Sequence, residues 1–123
     1  MKQQYHIYLF EPCPIIATGI STSLHEIACR AHSGSLLPAP EHHELALFSD
    51  IAIISLSPAS FAPVISSAAQ LHWQFELPII WTSAVPLTAY PDHYMFHQGF
   101  PILYKPFTSY QLKKRLRLEL AHL

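Results

Sequence analysis

Asp50-Ile51-Ala52-Ile53-Ile54-Ser55-Leu56-Ser57-Pro58 is the stretch whose reading decides the fold. Four consecutive apolar residues follow an aspartate and run into a serine- and proline-containing loop. A strand with one solvated face alternates apolar and polar residues. A run that is apolar on both faces belongs in the middle of a parallel sheet, covered by helices above and below.

The flanking segments read the same way. Upstream, Ile7-Tyr8-Leu9-Phe10 is a second compact apolar run, ended by Glu11-Pro12-Cys13-Pro14. Pro14 suits the first turn of a helix. Ile16, Ile20, Leu24, Ile27 and Ala28 then recur every three to four residues, which predicts one helix face from Ile15 to about Arg30. Downstream, Ser57-Pro58-Ala59-Ser60 reads as a loop with Ser60 as an N-cap. Val64, Ile65, Ala68, Ala69 and Leu71 carry the next helix to about Phe75, with Pro63 in its first turn. Pro78-Ile79-Ile80-Trp81 is another strand apolar on both sides, followed by Thr82-Ser83-Ala84. Residues 86–98 read as an irregular helix, interrupted or started late by Pro91. Phe100 to Tyr104 forms the last strand, and Pro106 stops it. Thr108 caps a final helix from Ser109 to about His122, where Leu112, Leu116 and Leu120, with Tyr110 or Leu123, line a stripe. The segment before Asp50 is written least clearly. Leu36-Leu37 fits a short second strand that Pro38 and Pro40 confine to an edge or cut short, and His43 to Phe48 fits a short helix.

Strands alternating with helices through short connections demand crossovers over a parallel sheet, since parallel neighbours cannot be joined by hairpins. The fold class is therefore α/β: a doubly wound, five-stranded parallel sheet forming one domain over residues 1–123. Ligands on such sheets sit at the carboxyl ends of the strands. The residues expected there are Glu11, Ser55, Ser83 and Lys105.

Composition narrows the function classes. Of the 123 residues 50% are hydrophobic and 12% charged, which suits a globular domain rather than a disordered or coiled-coil chain. A net charge of −1 exerts no global pull on nucleic acid or anionic membrane. Lys113-Lys114-Arg115 with Arg117 is the single basic cluster, and it reads as a solvated helix face or partner surface. The first apolar run is too short for a secretory segment or a membrane span, so a cytoplasmic location is expected. Cys13 and Cys29 lack paired spacing, and reduced thiols are expected rather than a disulfide. Gly19, Gly34 and Gly99 are the only glycines, which excludes glycine-rich phosphate loops, and no GxSxG elbow is present. Nine histidines invite a metal reading at His42-His43-Glu44 or at His93 with His97. His93 and His97 have the i, i+4 spacing of one helix face, but Pro91 interrupts that helix, no cysteine falls nearby and no HExxH or Cys-pair spacing is present, so the expectation is scattered surface histidines, no metal and no cofactor. Trp73, Phe75 and Trp81 are expected as core or rim aromatics.

The four strand-end residues, in this order, resemble those of bacterial response-regulator receiver domains, which share the flavodoxin-like fold with strand order 2-1-3-4-5. Glu11-Pro12-Cys13-Pro14-Ile15-Ile16-Ala17-Thr18-Gly19-Ile20 is similar to the Asp-Asp-His-Pro-Leu-Val-Arg-Glu-Gly-Leu opening of the LuxR/NarL-type branch. Asp50 to Pro58 resembles Asp-Leu-Val-Leu-Leu-Asp-Leu-x-Met-Pro, with one residue fewer before the proline. Pro78-Ile79-Ile80-Trp81-Thr82-Ser83-Ala84 resembles Pro-Val-Ile-Met-Leu-Thr-Ala, and Lys105-Pro106-Phe107 completes the set. In that family an acid pair binds Mg²⁺, an aspartate accepts phosphate from a histidine kinase, and a Thr or Ser and the lysine contact the phosphoryl group.

The departures from that pattern are chemical. Pro12 stands at the second acid and Ser55 at the acceptor aspartate, with Ser83 at the switch hydroxyl. Mg²⁺ asks for several hard oxygen ligands, and Glu11 is the one carboxylate left. A serine hydroxyl without an adjacent base is a poor substitute for a carboxylate nucleophile. The resemblance thus implies a degenerate receiver, not an enzyme, with Lys105 expected to pair with Glu11. It also implies phosphorylation-independent binding of a protein partner or a second copy, in transcription regulation, with a DNA-binding output domain outside this chain. The face implied for such contacts comprises Tyr94, Phe96, Tyr104, Tyr110, Lys113, Lys114 and Arg117, with no direct nucleic-acid or membrane contact. The alternative is a small-ligand sensor that uses the vacated strand-end pocket.

Overall fold

The computed structural model describes residues 4–33, 47–58, 61–86 and 101–121. The elements are β1 (Tyr5–Phe10), α1 (Pro14–His25), β2 (Cys29–Ser33), β3 (Ile51–Leu56), α2 (Phe61–Phe75), β4 (Ile79–Ser83), β5 (Ile102–Tyr104) and α3 (Ser109–Leu120). The five strands form one sheet in the order β2-β1-β3-β4-β5, and every neighbouring pair is parallel. The expected doubly wound architecture is the one observed.

Strand alternation explains why β3 is apolar throughout. Ile51 and Ile53 point to one face, where they join Ile7, Leu9, Ile20, Leu24, Ile80, Leu112 and Leu116 beneath α1 and α3. Ala52, Ile54 and Leu56 point to the other, with Tyr8, Val64, Ala68, Leu71, Ile79 and Trp81 beneath α2. Two cores sandwich one sheet, and every β3 residue is buried. Fully burying a side chain of this size contributes roughly 1.5–3 kcal/mol, so β3 anchors both layers.

The helix termini follow the sequence signals where those exist. Pro14 occupies the start of α1. Thr108 and Gln111 form a reciprocal capping box at α3: the Gln111 N–H donates to Thr108 Oγ1 at 3.1 Å, and the Thr108 N–H donates to Gln111 Oε1 at 2.8 Å. Two orphan amides of the first turn are thereby satisfied. On α3, Leu112 and Leu116 are buried and Leu120 packs partly against the same core, while Tyr110 is exposed.

The second strand corrects the sequence reading. It lies at Cys29–Ser33, not at Leu36-Leu37, and α1 ends at His25 rather than near Arg30. The chain leaves α1 through Ala28, whose φ of 59° is left-handed. The Ala28 carbonyl accepts the Tyr5 N–H at 3.0 Å and starts the β1–β2 pairing. Leu36 and Leu37 lie outside the described residues, as do Ser60 and, after Pro86, the helix expected over residues 86–98. Of the short helix expected before Asp50, Leu47 and Phe48 are helical and the rest is outside the described residues. The expectation for the tryptophans divides: Trp81 is core, Phe75 is partly buried, and Trp73 is 77% exposed on the last turn of α2. Trp73 is therefore neither core nor rim.

Candidate functional site at the strand ends

Parallel strands bring their carboxyl ends to one edge, and the predicted residues arrive there from four strands. Glu11 directly follows β1, Ser55 is the penultimate residue of β3, Ser83 ends β4, and Lys105 directly follows β5. The Lys105 N–H donates to the Ser83 carbonyl at 2.7 Å, which fixes the lysine's backbone to β4. The Lys105–Pro106 peptide bond is cis.

Lys105 Nζ donates to Glu11 Oε1 at 2.6 Å and to Ser55 Oγ at 2.8 Å. The two charged side chains are 16% and 3% exposed, so this is a largely desolvated ion pair. Such a pair is favourable only when the remaining polar atoms are also satisfied. On the Glu11 side that condition is met: the second carboxylate oxygen accepts the Cys13 N–H at 2.9 Å. That bond also serves α1, whose N-cap residue Cys13 makes no side-chain cap of its own. Glu11 thus joins the first turn of α1 to the end of β5. The expected Glu11–Lys105 pairing is observed, and Ser55 extends it across three strands.

Ser83 is buried, and its hydroxyl closes a local turn, donating to the Val85 carbonyl at 2.8 Å and accepting the Val85 N–H at 3.2 Å. Thr82 is the hydroxyl residue sequence reasoning passed over. It pairs in register with Ser55, and strand alternation gives both the face beneath α1 and α3. Thr82 is 1% exposed, and its Oγ1 has no hydrogen-bond partner among the described residues. The signal was present in Thr82-Ser83: of two successive hydroxyls, only one shares the parity of Ser55. Pro12, at the position of the second acid, is exposed.

A cavity of about 540 Å³ opens beside this cluster, between α1 and α3. Ile16, Ile20, Phe107 and Leu112 supply apolar wall, and Lys105 reaches its edge. Gly19 also lines it, and a Cβ there would meet nothing within 4 Å.

Of the expected interaction face, Tyr104 is 46% and Tyr110 70% exposed, and Lys114 and Arg117 are exposed. Tyr110, Lys114 and Arg117 share one side of α3 by their spacing. Lys113 instead forms an ion pair with Glu26, which follows α1. Tyr94 and Phe96 lie outside the described residues, as do His42, His43, Glu44, His93 and His97. Cys13 and Cys29 are free thiols, and burial pushes the Cys29 thiol up, with the Asp50 charge adding to the shift. Among the described residues no helix is long and apolar enough to cross a membrane.

No protein-family model and no curated protein matches the chain. Solved structures do. A response regulator receiver protein from Sinorhizobium medicae aligns with a TM-score of 0.75 and 19% identity, covering 97% of this chain and 96% of that one. A CheY-like response regulator receiver domain protein from Methanospirillum hungatei aligns with a TM-score of 0.76 at 11% identity, over 97% and 95% of the two chains. An orphan response regulator of H. pylori aligns at 0.72 and 17% identity, over 98% and 99%. At these identities the likeness is one of fold: the chain folds as response-regulator receiver domains do, over nearly its whole length.

Proposed function

We propose that this chain is a pseudo-receiver, a receiver-fold module that binds a protein partner or a second copy of itself in bacterial regulation without being phosphorylated. The observation that carries the reading is the ion pair that closes the strand-end site. Where phosphoryl chemistry calls for a carboxylate nucleophile and a metal-binding acid pair, Ser55 and Pro12 stand, and Lys105 is held by Glu11 and Ser55. An incoming phosphoryl group would have to displace a buried carboxylate from the lysine, with no metal-binding acids to offset that cost. The surface of β5 and α3, with Tyr104, Tyr110, Lys114 and Arg117 exposed, is the contact face in this reading. Large aromatics with adjacent cations are what interface centres favour. Transcription regulation, with an output domain outside this chain, follows the resemblance to LuxR/NarL-type receivers.

The test is sedimentation of the chain from micromolar to millimolar concentration, alone and with Mg²⁺ and acetyl phosphate, alongside a Y104A/Y110A variant. The expected result is self-association, or capture of one partner, that acetyl phosphate leaves unchanged and the variant weakens at least tenfold. A chain that stays monomeric and captures nothing, or one whose association requires acetyl phosphate, contradicts the proposal.

A second reading has its own observation, the cavity beside Lys105. Its apolar wall suits a small, largely apolar ligand, since the Lys105 charge at its edge is already paired with Glu11. Saturable stabilisation by such ligands, lost in a Gly19→Leu variant that fills the cavity, distinguishes a sensor from a docking module.

A further inference from the structure

A second polar constellation lies on the other face of the sheet. His6 of β1 and His32 of β2 bring Nδ1 and Nε2 to 2.9 Å from one another. The rings stack at 5.2 Å with an interplanar angle of 29°. Phe48 packs on both, at 4.4 Å from His6 and 5.7 Å from His32. Paired parallel strands set the spacing of the two backbones.

We propose that His6 and His32 form a two-imidazole binding site for a zinc-class divalent cation at the β1–β2 edge. Two neutral imidazoles this close hold one proton between them, with one nitrogen donating and the other presenting its lone pair. A cation takes that proton's place when the inward-facing ring shifts to its other tautomer, the proton moving to the outer nitrogen. Both lone pairs then point inward, and no net proton is released from the neutral pair. Zn–N bonds of about 2.0–2.1 Å in tetrahedral geometry set the nitrogens roughly 3.3 Å apart, an opening of less than half an ångström.

Next to the pair, Asp50 Oδ2 accepts the His6 backbone N–H at 2.8 Å. Among the described residues no third His, Cys, Asp or Glu joins the pair, so water completes the coordination and the site is open rather than structural. Sequence spacing does not reveal such a site, because the two ligands are 26 residues apart and meet only through strand pairing.

The experiment is a Zn²⁺ titration of the whole chain followed by ring ¹⁵N spectra of the histidines, repeated with H6Q, H32Q and, as control, H25Q. His25 is exposed at the end of α1. The expected result is saturable movement of His6 Nδ1 and His32 Nε2 in the unaltered chain. Zn²⁺ affinity should fall at least tenfold in H6Q and in H32Q and stay unchanged in H25Q. If the rings of His6 and His32 do not move in excess Zn²⁺, or if His25 and other histidines move as much at the same concentrations, the proposal is overturned. The spectra of the unaltered chain decide the matter even if a variant folds poorly.

Discussion

Glu11→Gln removes the charge of the strand-end ion pair and one of its two acceptors. The amide keeps a single oxygen, which can serve either the Cys13 N–H or Lys105 Nζ, while its NH2 faces the other donor, so the shape is kept but not both hydrogen bonds. Removing one partner of a fully buried pair costs about 3–5 kcal/mol. Two features reduce that figure here. Lys105 is 16% exposed, so its ammonium retains some hydration, and Ser55 Oγ remains in place at 2.8 Å. The expected loss is about 2 kcal/mol, which lowers the melting temperature of a domain this size by roughly 8 °C. Lys105→Met strands the more deeply buried carboxylate, so its cost is about 3 kcal/mol. The double variant leaves no uncompensated charge and should lose less than the sum, with a coupling of about 2 kcal/mol. Urea unfolding of all four proteins measures the cycle. A coupling below about 0.5 kcal/mol, the range of exposed pairs, would refute the reasoning.

Three further outcomes follow from single features. Thr82→Val replaces a buried hydroxyl that has no partner among the described residues by a methyl of the same shape, and should stabilise the domain by about 1 kcal/mol. A loss in urea unfolding would mean that the hydroxyl is bonded. His32 has a folded-state proton affinity below its ordinary value near 6.5, so the unfolded chain takes up that proton first. Its contribution is complete above about pH 6.5 and is lost as the pH falls through the lower folded value, with a slope of at most about 1.4 kcal/mol per pH unit. Titrating stability in the unaltered chain and in H32Q isolates that slope, and identical profiles would count against it. Cys29 is 1% exposed with its thiol pushed up by burial, whereas Cys13 is half-buried. One thiol should react rapidly with Ellman's reagent and the other only on unfolding, and two equally fast thiols would contradict the placement of β2.

How much of this was legible in the chain depends on where the physics is local. β3 and β4 are apolar on both faces because helices cover both, and their runs mark them without ambiguity. Thr108 with Gln111 marks its helix start by chemistry that lies within four residues. β2 was hidden for the opposite reason. It is an edge strand in which Cys29 and Ala31 face the core while Arg30 and His32 do not, so no apolar run announces it. The helix before it gave no stop signal either. A left-handed residue ordinarily calls for glycine or asparagine, and here Ala28 takes that conformation, so the periodicity of Ile20, Leu24 and Ile27 read on into the strand. Misplacing β2 also concealed the His6–His32 pair, since His32 meets His6 only when Cys29–Ser33 lies beside β1. At the strand ends, Glu11, Ser55 and Lys105 were found from their position after apolar runs, because a parallel sheet collects such residues at one edge. Parity was the missing step for Thr82.

The central claim is that a strand-end site of this composition does not take a phosphoryl group. The direct measurement is a backbone amide spectrum of the chain titrated with Mg²⁺ and then with beryllofluoride, which mimics a phosphoryl group on an aspartate. No saturable shift is expected at Glu11, Ser55, Thr82, Ser83 or Lys105 up to millimolar concentrations. Saturable shifts clustered at Ser55, Ser83 and Lys105 that depend on both additions would contradict it.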